Sequence, residues 1–291
     1  MSLTATAASE LFRREPDGFL DVGAGEVAHR IVGSGPDVLF VHGWPVSGAT
    51  WRLLLPHLVD HVTCHVIDLP SAGSSRFDAS TPMSIDQHIL TVKRVVDLLD
   101  FDRVAVVGHD SGGLIARHAL AGDPRVTSMG LINTEPPDPS WRFRSFIAAR
   151  RLPGLARGLG WVAGAPRVRR MKMVFGDAFV DRSLLDGEFA EFFFDPLHHD
   201  RAKCEAAATL LRSFDMTHVT DLAAVHERLA VPVKLVWGAC DPFFPVERAK
   251  AMVSTFPNAT IDVLADVGLF SHEEAPEAVA KSLLPMLTTD G

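Results

Sequence analysis

Val106-Val107-Gly108-His109-Asp110-Ser111-Gly112-Gly113 is the stretch whose reading decides the fold: an apolar run that breaks into a Gly-x-Asp-x-Gly turn. That spacing reads as a strand, a sharp turn and a helix, with the central residue lifted above the carboxyl end of a sheet. The flanking glycines are needed because strand and helix press close to a strained central residue. The central residue is Asp110, and centring the turn on Ser111 would require a glycine where the chain has His109. A carboxylate nucleophile suits displacement at a saturated carbon, opening a C–halogen bond or an epoxide and leaving an alkyl ester on the protein. The competing reading of Asp110 is a helix-capping aspartate. The two glycines and the preceding apolar strand weigh against it.

Working outward, apolar runs alternate with helical patterns, as a mostly parallel sheet with crossover helices requires. Strands are expected at Phe19–Val22, Val27–Val32, Asp37–His42, Val62–Asp68, Arg103–Gly108, Val126–Asn133, Val231–Trp237 and Thr260–Leu264. Val104–Val107 is continuously apolar, which predicts a strand covered on both faces. Ile85, Ile89, Val92, Val95, Val96 and Leu99 form a helical stripe, with Ser84 and Gln87 offering a capping box at its start. Leu114–Leu120 reads as the helix leaving the turn, and Ala275–Leu287 as a final helix. Residues 136–217 carry no strand signal, only helical patches broken by Pro and Gly. Their first half holds nine Arg and Lys residues and no acid between Ser140 and Gly176, most simply a solvated face; Phe189 and Phe192–Phe194 follow. The expected organisation is therefore a core of residues 1–135 and 218–291, with a helical lid of residues 136–217 closing an apolar pocket.

At 291 residues, 47% hydrophobic and 22% charged, the chain reads as an ordinary globular protein able to bury a large core. A formal charge of −8 argues against general nucleic-acid binding. Cys64, Cys204 and Cys240 are too few and too scattered for a disulfide framework or a metal knuckle, and His198-His199 lacks a ligand set. With no secretory segment at the N-terminus and no apolar run of 18 residues, a cytoplasmic protein without membrane contact is expected. No cofactor and no metal are expected, the partner being a small apolar organic substrate. The oligomeric state is not legible.

Four segments together resemble the α/β-hydrolase superfamily, specifically its Asp-nucleophile branch of haloalkane dehalogenases and epoxide hydrolases. They are Val41–Pro45, Asp68–Ser75, Gly108–Gly112 and Trp237–Pro242. The resemblance covers the whole core and implies an eight-stranded, mostly parallel sheet with helices on both faces and a lid. It implies Asp110 as nucleophile and the backbone N–H groups of Ser111 and Trp44 as the oxyanion hole. Asp241 matches the acid that orients a histidine, and Glu135 is a second candidate for that role. Phe192 and Phe193 are candidate pocket walls.

The chain departs from that pattern at the histidine. By register from Pro276, the position of the water-activating imidazole holds Leu269, and His272 is the nearest imidazole. Either the loop brings His272 to the ester or the general base is missing. The chain has no tyrosine, which removes the lid tyrosines that such epoxide hydrolases use to polarise the epoxide. Ser111 follows the nucleophile where dehalogenases carry a halide donor, leaving Trp44 as the expected halide donor. The leading expectation is a cofactor-free dehalogenase-like hydrolase of an apolar halogenated substrate. The alternatives are an epoxide hydrolase and, because of Leu269, an impaired ligand-binding protein. An esterase is disfavoured, since a carboxylate attacking an ester would form an anhydride.

Overall fold

The computed structural model describes residues 3–288. Its eight strands are β1 Gly18–Asp21, β2 Glu26–Gly33, β3 Asp37–Val41, β4 Thr63–Asp68, β5 Val104–His109, β6 Val126–Ile132, β7 Val233–Gly238 and β8 Ala259–Leu264. They form one sheet in the order β1-β2-β4-β3-β5-β6-β7-β8. The β1/β2 and β2/β4 pairs are antiparallel and the rest parallel. Helices of eight residues or more are α1 Ala5–Arg13, α2 Ile85–Leu98, α3 Ser111–Leu120, α4 Trp141–Ala148, α5 Leu155–Ala163, α6 Arg201–Ser213, α7 Val246–Val253 and α8 Pro276–Leu287.

The sheet is buried on both faces because its central strands are apolar at successive positions rather than at alternate ones. Leu39 and Val41 join one apolar layer with Val106, and with Val92 and Val95 of α2 and Leu114 and Ile115 of α3. Val38, Phe40, Ala105 and Val107 face the other way, against Val279, Ala280 and Leu283 of α8. Ser84 opens α2, its hydroxyl accepting from the Gln87 N–H at 3.1 Å.

Between β6 and β7 the chain leaves the sheet and forms α4, α5, α6 and shorter helical turns, with no strand among them. A phenylalanine cluster holds this insertion together and onto the core. Phe179 stacks on Phe270 at 4.9 Å, and Phe189 meets Phe193 at 4.7 Å and Phe270 at 5.2 Å. The carboxyl ends of β3, β5, β6 and β7 meet beneath the insertion, the crevice where doubly covered sheets place their ligands.

Candidate active site

Asp110 sits between the end of β5 and the start of α3 at φ 51°, ψ −136°, a conformation that costs a non-glycine residue energy. The tightness of the turn explains its glycines. A Cβ on Gly112 would lie 2.3 Å from the Val41 carbonyl oxygen, and one on Gly108 would lie 2.7 Å from the Gly113 Cα. Two backbone donors and the Ser111 hydroxyl meet the Asp110 side chain. The Trp44 backbone N–H donates to Oδ2 at 3.0 Å, and the Ser111 backbone N–H also bonds the carboxylate. These are the two N–H groups expected to form an oxyanion hole. Burial pushes the Asp110 carboxyl up to about 6, opposed by the bonds from Ser111 and Trp44, so it is mostly ionised at neutral pH.

Asp110 opens into a cavity of about 70 Å³. Its walls are almost wholly apolar: Trp44, Phe143 and Phe146 on one side, Leu210, Phe214, Phe243 and Leu269 on others. Ser111 and Glu135 are its other polar lining residues. The structure thus brings together Asp110, Ser111, Trp44 and Glu135, with Leu269 among them.

Asp241 is buried beside this cavity rather than in its lining. Its Oδ1 accepts the Phe243 and Phe244 N–H groups at 2.8 and 3.0 Å, and its Oδ2 accepts Asn133 Nδ2 at 2.8 Å. Burial pushes it up to about 7, and the nearby Asp110 adds to the rise. Those bonds hold the Asp241 carboxyl in place, while Leu269, the position at which the family resemblance expects an imidazole, lines the cavity with its apolar side chain.

The structure corrects three expectations. His272 does not reach the cavity. Its Nε2 lies 2.7 Å from Thr50 Oγ1, and its ring packs 4.7 Å from Trp51 and 4.4 Å from His109. Held by Thr50, Trp51 and His109, His272 is fully buried and absent from the cavity lining. Burial lowers His272 well below the usual histidine range, and His109 and Arg52 lower it further. The indole N–H of Trp44 donates to the Ala207 carbonyl at 3.0 Å, so it is already committed and not free as a halide donor. Phe192 and Phe193 do not line the cavity. Phe192 lies under the Arg13 and Arg52 guanidinium groups, and Phe193 is buried against Phe189.

Sequence reading also missed residues. Phe143, Phe146, Leu210 and Phe214 carry the pocket wall, but apolar residues on lid helices do not announce whether they face a pocket or a core. Asn133 and Thr134 had a usable signal: with Glu135 they form a polar triplet directly after the apolar run of β6, at the carboxyl edge of the sheet. Arg117 is wholly buried on α3, donating to Thr134 Oγ1 at 2.8 Å and to the Glu135 carbonyl at 3.0 Å. Among the described residues no group of three or more His, Cys, Asp or Glu could hold a metal ion.

A strained strand–helix elbow carrying Asp110, two backbone donors on its side chain and a helical insertion over a doubly covered sheet fit a hydrolase of the α/β class. The chain belongs to the alpha/beta hydrolase family, which it matches over residues 38–282. It is 28% identical over 241 residues to the pimeloyl-acyl-carrier-protein methyl ester esterase of Chromobacterium violaceum, covering 79% of this chain and 85% of that one. Among solved structures it resembles an alpha/beta hydrolase fold protein from Burkholderia ambifaria, with TM-score 0.77 and 21% identity over 94% of this chain and 98% of the other. It also resembles an epoxide hydrolase, with TM-score 0.71 and 20% identity over 94% and 98% of the two chains. These two likenesses show a shared fold.

Proposed function

We propose that this protein is a cofactor-free hydrolase that opens a polarised bond at a saturated carbon of a small apolar substrate, a C–halogen bond first and an epoxide second. Asp110 forms an alkyl ester in the process. One observation carries the reading: the Asp110 carboxyl, held by the Trp44 and Ser111 N–H groups, faces an apolar cavity. The same donors stabilise the oxyanion when water later attacks the ester carbonyl. The esterase activity named for the Chromobacterium relative fits a site that works through Asp110 less well. An ester attacked by Asp110 would become a mixed anhydride, a reactive acyl donor reached uphill from an ester. The absence of tyrosine in the chain supports the halide over the epoxide.

The test is intact-protein mass spectrometry after incubation with bromoalkanes and terminal epoxides, with halide and diol release followed in parallel. An adduct mapped to Asp110 and absent in Asp110→Asn is the expected result. Product release at the wild-type rate by Asp110→Asn would overturn the nucleophile assignment. Binding of these compounds with neither adduct nor product would make the cavity a receptor rather than a reaction site.

A further inference from the structure

The cavity holds a second carboxyl that this reaction has not yet used. Glu135 is 1% exposed, yet it lines the same cavity as Asp110 and Leu269. Thr134 ties the two acids together. Its Oγ1 lies 2.8 Å from the Asp110 carbonyl oxygen and 2.9 Å from Glu135 Oε2, and accepts a bond from Arg117 Nη2 at 2.8 Å. A hydroxyl has one proton to donate and a peptide carbonyl has none. Both O···O contacts are therefore hydrogen bonds only when Glu135 carries a proton of its own.

The surroundings agree. Burial and the charge of Asp110 push Glu135 up to about 8, against the pull of Arg117, whose Nη2 is 4.0 Å away. Arg117 in turn meets His226 Nε2 at 3.0 Å, and burial lowers that imidazole to about 2, leaving it neutral. Asp241, beyond Asp110, also interacts with the Asp110 charge. Among the described residues no histidine lines the cavity.

We propose that Glu135 does the work of the missing imidazole: neutral while Asp110 is ionised, it gives up its proton once Asp110 is esterified and then takes a proton from the attacking water. This rests on the alkyl-ester reading above. An Asp110 oxygen forms a bond to carbon as the C–X bond breaks, and the negative charge leaves with the halide. The like charge that helped keep Glu135 protonated is gone while its burial remains, so Glu135 gives up its proton to solvent more readily than in the free enzyme. Water then adds to the ester carbonyl while the Glu135 carboxylate accepts one of its protons. Collapse breaks the acyl–oxygen bond, the departing alkoxide keeps the second proton of that water, and Asp110 returns as a carboxylate beside a neutral Glu135. The sum is R–X plus water giving ROH, a proton and halide. Esterification itself switches on the base.

The experiment uses the full chain and 1-bromohexane, following adduct mass and hexanol in single turnovers across pH. In the wild type, ester decay is expected to speed up as pH rises and to level off once Glu135 is ionised. Glu135→Gln is expected to form the ester but to hydrolyse it roughly 10²–10⁴-fold more slowly, the usual worth of general-base assistance, and without that pH dependence. Glu135→Asp should recover part of the rate. Decay in Glu135→Gln at the wild-type rate, or a flat wild-type profile should the variant not fold, overturns the role of Glu135 alone. No ester in the wild type removes the alkyl-ester reading first and this inference with it.

Discussion

At the scale of single residues, the proposed reaction turns on what stands at position 269. Leu269 lines the same cavity as Asp110, and Asp241 is buried beside that cavity. In the Glu135→Gln background, Leu269→His is expected to shorten the lifetime of the Asp110 ester by roughly 10²–10⁴-fold, read as adduct decay by mass spectrometry. An unchanged lifetime would show that Asp241 is not placed to orient an imidazole. His272 belongs to the packing instead. Removing its bond to Thr50 and its contacts with Trp51 and His109 is expected to cost roughly 2–4 kcal/mol of stability. Urea unfolding of His272→Ala checks the loss, and ester decay should not change. The elbow itself was legible from Gly108, Asp110 and Gly112, since each is dictated by local backbone sterics. The fate of His272 was not, because three residues of loop followed by a helical turn at Ser271–Glu274 decide which way an imidazole points.

At the scale of elements, strands and crossover helices follow their sequence signals closely. All eight expected strands form, with ends shifted by one or two residues at most, because continuous Val-Ile-Leu runs between turn residues have few alternatives to burial in a sheet. Ser84 does what its position predicts, accepting the Gln87 N–H at the start of α2. Ser84→Ala should cost about 1 kcal/mol, measurable as a lower urea midpoint with an unchanged slope. The segment between β6 and β7 was legible as helical but not in detail. The run Phe192–Phe194 shows why. Phe193 and Phe194 are buried in the insertion's own core, while Phe143, Phe146 and Phe214 line the cavity. Phenylalanine on a short helix satisfies either environment equally well, so helix packing makes the choice.

At the scale of the whole molecule, three buried carboxyls around one cavity set the response to pH. Asp110, Asp241 and Glu135 are pushed up to about 6, 7 and 8, in each case by burial first. A raised carboxyl value means that the native state binds the proton more tightly, so this stability is present at low pH and lost as pH rises through the folded value. The buried His29, His88 and His109 work oppositely. Burial lowers them to about 4, 4 and 3, so their contribution is present above about pH 6.5 and lost as pH falls toward those values. Below pH 6.5 the two groups oppose each other. Between pH 7 and 9 Asp241 and Glu135 act without that opposition, and melting temperature is expected to fall across this interval. Glu135→Gln should make the fall shallower. A melting temperature that rises from pH 7 to 9 in the wild type would show that these acids are ionised without cost.

The sequence by itself determined the strand pattern, the elbow with Asp110 at its centre and the absence of a histidine at position 269, because each depends on local sterics, short-range periodicity or plain residue identity. The tertiary structure decided which side chains share the cavity. Glu135 enters it and His272 does not; the Trp44 indole is spent on Ala207, and helices distant in sequence supply the walls. Such placements are settled when the insertion packs against the sheet and every buried polar group must find a partner, and no short-range pattern encodes that contest.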